Sequence, residues 1–349
     1  MNNLLIGFLL FCFTIAYPYM AGAGQRLIIS QSGDAFLSIY TEEGRKNIMK
    51  YDHLNKSLLS FYPITDQINC HLNDLSFDPN GKKLAFWGYC KLSDAILNET
   101  SPKGFYRITV LDIEKKKEII ILDHGGRSFS FSPKGDAIVY AEEIPGERGS
   151  PAPLGYQGGV WLYDFKSKTR KRIETAKINT TSVYNMDVNW SEHDGNIYIT
   201  NFFQTLRYDV SRDKTELTAY QGMVYFSPDG KYYVILKAGG ANSNIYRTSD
   251  NKQMLEWEAS IKSNEYCKSR GMYFLFWSKI LNAAIFMVDG DQNVVFDIEK
   301  QKIIGIFPGY FIGMNPDGAL VVITPKGKDW RSEVEILNLL DLIQPKSGP

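Results

Sequence analysis

Short runs of alternating apolar and polar residues, separated by Pro and Gly, recur along the chain from about Leu27 to Asn338. In Val224-Tyr225-Phe226-Ser227-Pro228-Asp229-Gly230-Lys231-Tyr232-Tyr233-Val234-Ile235 two such runs flank a Pro-Asp-Gly turn. Pro228 presets φ and Gly230 supplies the positive φ that a reversal needs, so the stretch predicts a tight hairpin. Further copies are Phe77-Asp78-Pro79-Asn80-Gly81, Phe131-Ser132-Pro133-Lys134-Gly135 and Met314-Asn315-Pro316-Asp317-Gly318. Looser versions lie at Ile29 to Gly33, Trp190 to Gly195 and Trp277 to Asn282.

From Gly33 to Gly318 these turns cover 285 positions in six steps, a mean period of about 47 that suits a four-stranded propeller blade. Three residues after each turn stands an apolar side chain: Phe36, Leu84, Ile138, Tyr198, Tyr233, Ile285 and Val321. The strand that follows each turn is therefore expected to be packed. Tyr51-Asp52, Leu111-Asp112, Tyr163-Asp164, Tyr208-Asp209 and Phe296-Asp297 mark a second reversal in each unit, where the Asp is expected to bond its own downstream backbone. Tyr246-Arg247 and Leu337-Asn338 are the drifted copies. The strands of a unit are named A to D from the channel outward. The expectation is an all-β, seven-bladed β-propeller of four-stranded antiparallel blades; six blades is the alternative. Too little chain follows Asn338 for a full last strand. Either the final blade is three-stranded or residues before Leu27 complete it.

Composition narrows the function classes. Lys plus Arg and Asp plus Glu number 39 each, a formal net charge of zero, so nothing favours nucleic acid or an anionic membrane surface as partner. Apolar residues make up 44% of the chain and aromatics 13%, enough for small cores between blades. Leu4 to Ala16 is an apolar run, followed by Ala21-Gly22-Ala23. It predicts a signal peptide over residues 1–23 and export to the periplasm or medium, with a retained N-terminal anchor as the alternative. Residues 24–343 are then one propeller domain, residues 344–349 a disordered tail, and the protein a monomer. Cys70 and Cys90 lie ten residues either side of Asn80, so continued hairpin pairing makes them a disulfide candidate.

Only the second and third repeats carry long B–C loops, roughly Gly88 to Gly104 and Ile144 to Gly159. Long D–A connections are expected before the second, fourth and sixth blades, and B–C and D–A connections emerge on one face. Binding residues gather on loops of rigid scaffolds, so this face holds the candidates. Asp74, Arg127 and Asp187 stand at the entrances of A strands, while His71 and His124 fall in successive D–A connections. Glu142 ends a B strand beside the insertion Pro145 to Tyr156, placed to serve in an acid/base pair or to bind an amine. Arg148 and Tyr156 lie in that insertion, and Tyr184 is an aromatic able to stack on a sugar or anchor a peptide.

Other chemistry is sparse. Two histidines without a third ligand make a poor metal site. Asp289-Gly290-Asp291-Gln292-Asn293 lacks the glycine and distal glutamate of a calcium loop and is expected to be a turn. No nucleophile elbow or phosphate-binding loop occurs. No cofactor, metal or catalytic residue is assigned.

The Ser/Asp-Pro-x-Gly-Lys hairpins followed by Tyr/Leu-Asp turns resemble the TolB-like, WD-repeat-like propellers and the propeller domain of prolyl oligopeptidases. The resemblance covers nearly the whole mature chain and implies a scaffold that binds proteins or peptides. Neither the extra N-terminal domain of the TolB type before these repeats nor the hydrolase domain of the peptidases after them is expected. Pectic-fragment lyases also belong to this group, but their metal-binding histidines find no match. The expected function is an exported, non-catalytic propeller binding a protein, peptide or glycan through its long-loop face. The alternative is a propeller lyase, hydrolase or lactonase with His71, His124 and Glu142 at the channel mouth.

Overall fold

The computed structural model describes residues 27–29, 35–40, 46–52, 57–63, 69–91, 104–123, 125–142, 159–175, 186–201, 204–236, 243–254, 273–288, 292–315, 317–324 and 335–343. Their strands form seven antiparallel sheets, each a meander of sequence neighbours. In chain order the sheets span residues 27–63 (sheet I), 69–123 (II), 125–173 (III), 187–217 (IV), 223–247 (V), 273–308 (VI) and 310–338 (VII). Successive sheets share apolar cores. Ala85, Trp87 and Ile108 of sheet II pack with Phe131, Ile138 and Tyr140 of sheet III, and Val234 and Ile245 of sheet V with Phe274, Phe286 and Phe296 of sheet VI. The strand Leu27–Ile29 lies against Tyr310–Met314 and Leu320–Thr324 as well as against Asn69–Phe77, so the last sheet meets the first. The fold is an all-β propeller.

The A–B hairpins owe their shape to two residues each. The first turn residue presents a short side-chain oxygen that accepts the two amides entering the next strand. Asp78 Oδ1 takes Lys82 N and Lys83 N at 2.7 Å each, and Ser132 Oγ takes Asp136 N at 3.0 Å and Ala137 N at 3.1 Å. Asn315 Oδ1 does the same for Ala319 N and Leu320 N at 2.9 Å each. Gly81, Gly135, Gly230 and Gly318 then adopt φ between 66° and 68°, where a Cβ is disfavoured. Adjacent turns also interlock: Asn80 Nδ2 donates to Lys134 O at 3.0 Å and Lys83 Nζ to Gly135 O at 2.8 Å, joining sheets II and III.

The C–D reversals behave as expected from their aspartates. Asp112 accepts Lys115 N at 2.9 Å, Asp164 accepts Ser167 N at 2.6 Å, Asp209 accepts Arg212 N at 3.0 Å, and Asp297 accepts Lys300 N at 2.8 Å. The bond from Lys115 N lowers the pKa of Asp112, that from Ser167 N lowers Asp164, and the Ser211 hydroxyl lowers Asp209. At Asp297 burial pushes upward, but the bonds from Lys300 outweigh it and the net shift is again downward. A carboxyl whose folded pKa lies below its unfolded value contributes stability above the unfolded pKa and loses it as pH falls through the folded one. The urea unfolding midpoint is therefore expected to hold between about pH 7 and 5 and to fall once pH drops below about 4. A midpoint unchanged down to pH 2 would remove these turns from the stability of the fold.

One expectation about strands is corrected, and of the two alternatives for the last sheet the three-stranded one is found among the described residues. Sheet V has three strands among the described residues rather than four: after Ser243–Arg247 the chain reverses through Asn251 and makes one isolated bridge, Tyr246 to Gln253. This is a copy without the Tyr-Asp turn. Sheet VII is also three-stranded, and its third strand, Glu335–Asn338, runs straight into the short helix α1, Leu339–Ile343. Asn338 caps that helix, its Oδ1 accepting Leu340 N at 3.0 Å. Leu339, Leu342 and Ile343, at i, i+3 and i+4, turn one apolar stripe onto the core of sheets VI and VII.

Connection lengths differ from expectation in two places. Gly88 lies inside strand B of sheet II (Lys83–Lys91), so the B–C connection there is residues 92–103. The D–A connection before sheet II is only residues 64–68, because the flanking strands extend to Pro63 and from Asn69. In the Asp289 to Asn293 run, Gln292 and Asn293 belong to strand C of sheet VI (Gln292–Asp297), and buried Asn293 donates to Gly309 O at 2.8 Å.

Candidate functional site

In sheet III the strand Ala137–Glu142 alternates, and Ile138 and Tyr140 turn one face toward sheet II. The ladder sets Tyr140 opposite Trp161, Trp161 opposite Arg172, and Tyr163 opposite Arg170, so aromatic and cationic residues continue that face outward across the sheet. Sheet II contributes Trp87 and Tyr106, whose rings meet edge to face at 5.7 Å. The seam between the two sheets is thus apolar at its base and aromatic toward its rim.

Glu142 sits at that rim, the last residue of its strand, and is only 8% exposed. Its backbone N donates to Gly159 O at 2.8 Å. Its carboxylate faces Arg170, with Oε1 3.6 Å from Nη1. The Arg170 guanidinium lies over the Trp161 ring, 4.4 Å from the centroid, a cation–π arrangement. Burial raises the pKa of the Tyr140 phenol; a hydrogen bond involving Arg170 partly offsets this, and the nearby Glu142 charge adds to it. Gly159 lets Arg172 lie close, since a Cβ there would come within 2.9 Å of Arg172 Nε. Trp161 Nε1 is buried with no hydrogen-bond partner among the described residues. The arrangement brings together one buried carboxylate, two aromatic rings and a spare N–H donor.

The other expected site residues are dispersed over neighbouring A strands. His71 is not in a connection but within Asn69–Phe77, opposite Tyr89, because that strand extends further toward the rim than the turn spacing suggested. Asp74 falls at the irregularity in the same strand between Asn73 and Leu75. Arg127 lies within Gly125–Phe131, and Asp187, half-buried, opens Asp187–Trp190 opposite Thr200. His124, Arg148, Tyr156 and Tyr184 lie outside the described residues. Among the described residues no group of three or more His, Cys, Asp or Glu could hold a metal ion. Cys90 is disulfide-bonded, and Cys70 is the residue opposite it in the ladder.

Sequence reasoning singled out Glu142 but missed Tyr140, Trp161, Arg170 and Arg172. The signal was present in the spacing: Trp161 and Tyr163, like Arg170 and Arg172, are two apart on short strands and must share a face.

No family model matches the chain, and no curated protein matches it. Solved structures do. One chain of a structure titled crystal structure of the mitotic checkpoint complex superposes with a TM-score of 0.56 at 8% identity, covering 91% of each chain. A chain of Kuenenia stuttgartiensis hydrazine synthase gives a TM-score of 0.52 at 13% identity, covering 91% of this chain and 96% of that one. At such identities the likeness concerns the backbone alone. It supports a β-propeller.

Proposed function

We propose that this chain is an exported, non-catalytic propeller of seven blades that binds a protein partner at the rim over the seam of sheets II and III. The observation that carries the reading is the cluster of buried Glu142, Arg170 and Trp161 on sheet III, at the strand end that precedes residues 143–158 in the sequence. Seven successive sheets support the blade count, and the apolar run before Ala21 supports export. The resemblance of the hairpins to TolB-like propellers agrees with a protein partner. The ladder position of Cys70 opposite disulfide-bonded Cys90 supports their pairing within the rim hairpin, which would stiffen it.

The test compares the wild-type chain with one in which Glu147 to Leu154 is deleted, both used as bait after in-cell crosslinking. The deletion is expected to lose the principal partner while leaving the thermal midpoint unchanged. An identical set of captured proteins would sink the proposed rim.

A further inference from the structure

We propose that Glu142, Trp161 and Tyr140 form a receptor for one cationic side chain, the guanidinium of an arginine on the bound partner, and that Arg170 fills it in the present structure. The inference deepens the protein-binding reading and rests on it.

The groups around the pocket argue for a cation. Glu142 has a side chain only 10% exposed, and among the described residues its ion-pair contact is a 3.6 Å approach from an arginine whose own side chain is 54% exposed. A carboxylate removed from water is stabilised by close, multiple partners, and a guanidinium held at shorter range than 3.6 Å would supply them. Trp161 offers the ring face that a planar guanidinium stacks on, and Arg170 already stacks there. Trp161 Nε1, buried and unpaired among the described residues, remains as a donor for a carbonyl of an incoming segment. The pocket is thus chemically complete for a cation followed by backbone, and its present occupant supplies the cation alone.

The position of Arg170 explains how it could yield. It lies on Thr169–Ile173, the outermost strand of sheet III, whose residues 169–172 are exposed. Its side chain can rotate into water without disturbing the ladder to Val160–Asp164. A tethered side chain competes at an effective concentration in the millimolar range, enough to hold a pocket shut against free cations yet weak enough to lose to a partner with further contacts.

The tripeptide acetyl-Gly-Arg-Gly-amide, titrated by tryptophan fluorescence and NMR, tests the idea. Arg170→Ala is expected to bind it about tenfold more tightly than the wild type, Arg170→Ala with Glu142→Gln to show no saturable binding, and the citrulline analogue to bind neither. Arg170→Gln, which keeps the chain length over Trp161, carries the test if the alanine variant is unstable. Equal affinity of wild type and both Arg170 variants, or binding of the citrulline peptide, would overturn the pocket. If the pocket behaves as expected but shortening Glu147 to Leu154 changes no captured partner, the rim reading fails on its own. If partners are lost on shortening yet held equally by Glu142→Gln, only the cation pocket fails.

Discussion

Gly222→Ala is expected to lower the unfolding free energy by about 3–5 kcal/mol, the combined scale of a disallowed backbone and an overpacked contact. Gly222 has φ +137°, and a Cβ there would lie 2.3 Å from Leu236 O and 2.9 Å from Ile235 Cγ2. The oxygen cannot retreat easily. Leu236 ends strand B of sheet V (Tyr232–Leu236), paired with Met223 on one side and Ser243 on the other. Gly222 itself is held from behind, its carbonyl accepting the buried Thr205 hydroxyl at 2.7 Å. Gly195→Ala is the matched control: φ is +70°, but nothing lies within 4 Å of the added methyl. Only the backbone term remains there, about 1–2 kcal/mol. Urea midpoints of the two variants, measured at equal protein concentration, should differ by more than the difference between Gly195→Ala and wild type. Equal midpoints would mean that the start of sheet V is loose enough to absorb a methyl group.

The hairpins could be read from the chain because their information is local. A residue with a short side-chain oxygen, a Pro and a Gly at fixed offsets determine which amides are capped and where φ turns positive, and Asp78, Ser132 and Asn315 satisfy that rule with different chemistries. The aspartates of the C–D turns were legible for the same reason. What spacing could not convey is how far a strand runs past its turn. His71 and Gly88 were expected in connections, yet cross-strand pairing with Tyr89 and Leu72 extends the second hairpin through them. Nor could local pattern show that, among the described residues, sheet V makes a single bridge after its third strand, because that depends on which neighbours reach Tyr246. The candidate pocket is illegible for a third reason. Glu142 and Arg170 meet only once the ladder has brought Trp161 beside Tyr140, a product of two registers acting together.

Asp78→Ala is expected to cost about 3–5 kcal/mol, because removing one partner of a buried charged network strands the others. Asp78 is fully buried, and one carboxylate oxygen accepts two backbone amides while the other faces Lys83 Nζ at 3.2 Å. Lys83 in turn donates to Gly135 O at 2.8 Å and lies 5.5 Å from the centre of the Phe165 ring, so the loss propagates to the join between sheets II and III. Asp78→Asn separates the two contributions. Asn315, at the equivalent place in sheet VII, already shows that an amide oxygen caps both turn amides. The asparagine variant should therefore keep the turn and lose only the charge pairing with Lys83, costing about 1–2 kcal/mol. The ordering Ala much worse than Asn, read from urea midpoints, identifies the backbone caps as the main contribution of Asp78. If asparagine proved as damaging as alanine, the ion pair to Lys83 would be what holds this turn, and the shared Asp, Ser and Asn of the repeats would no longer be equivalent.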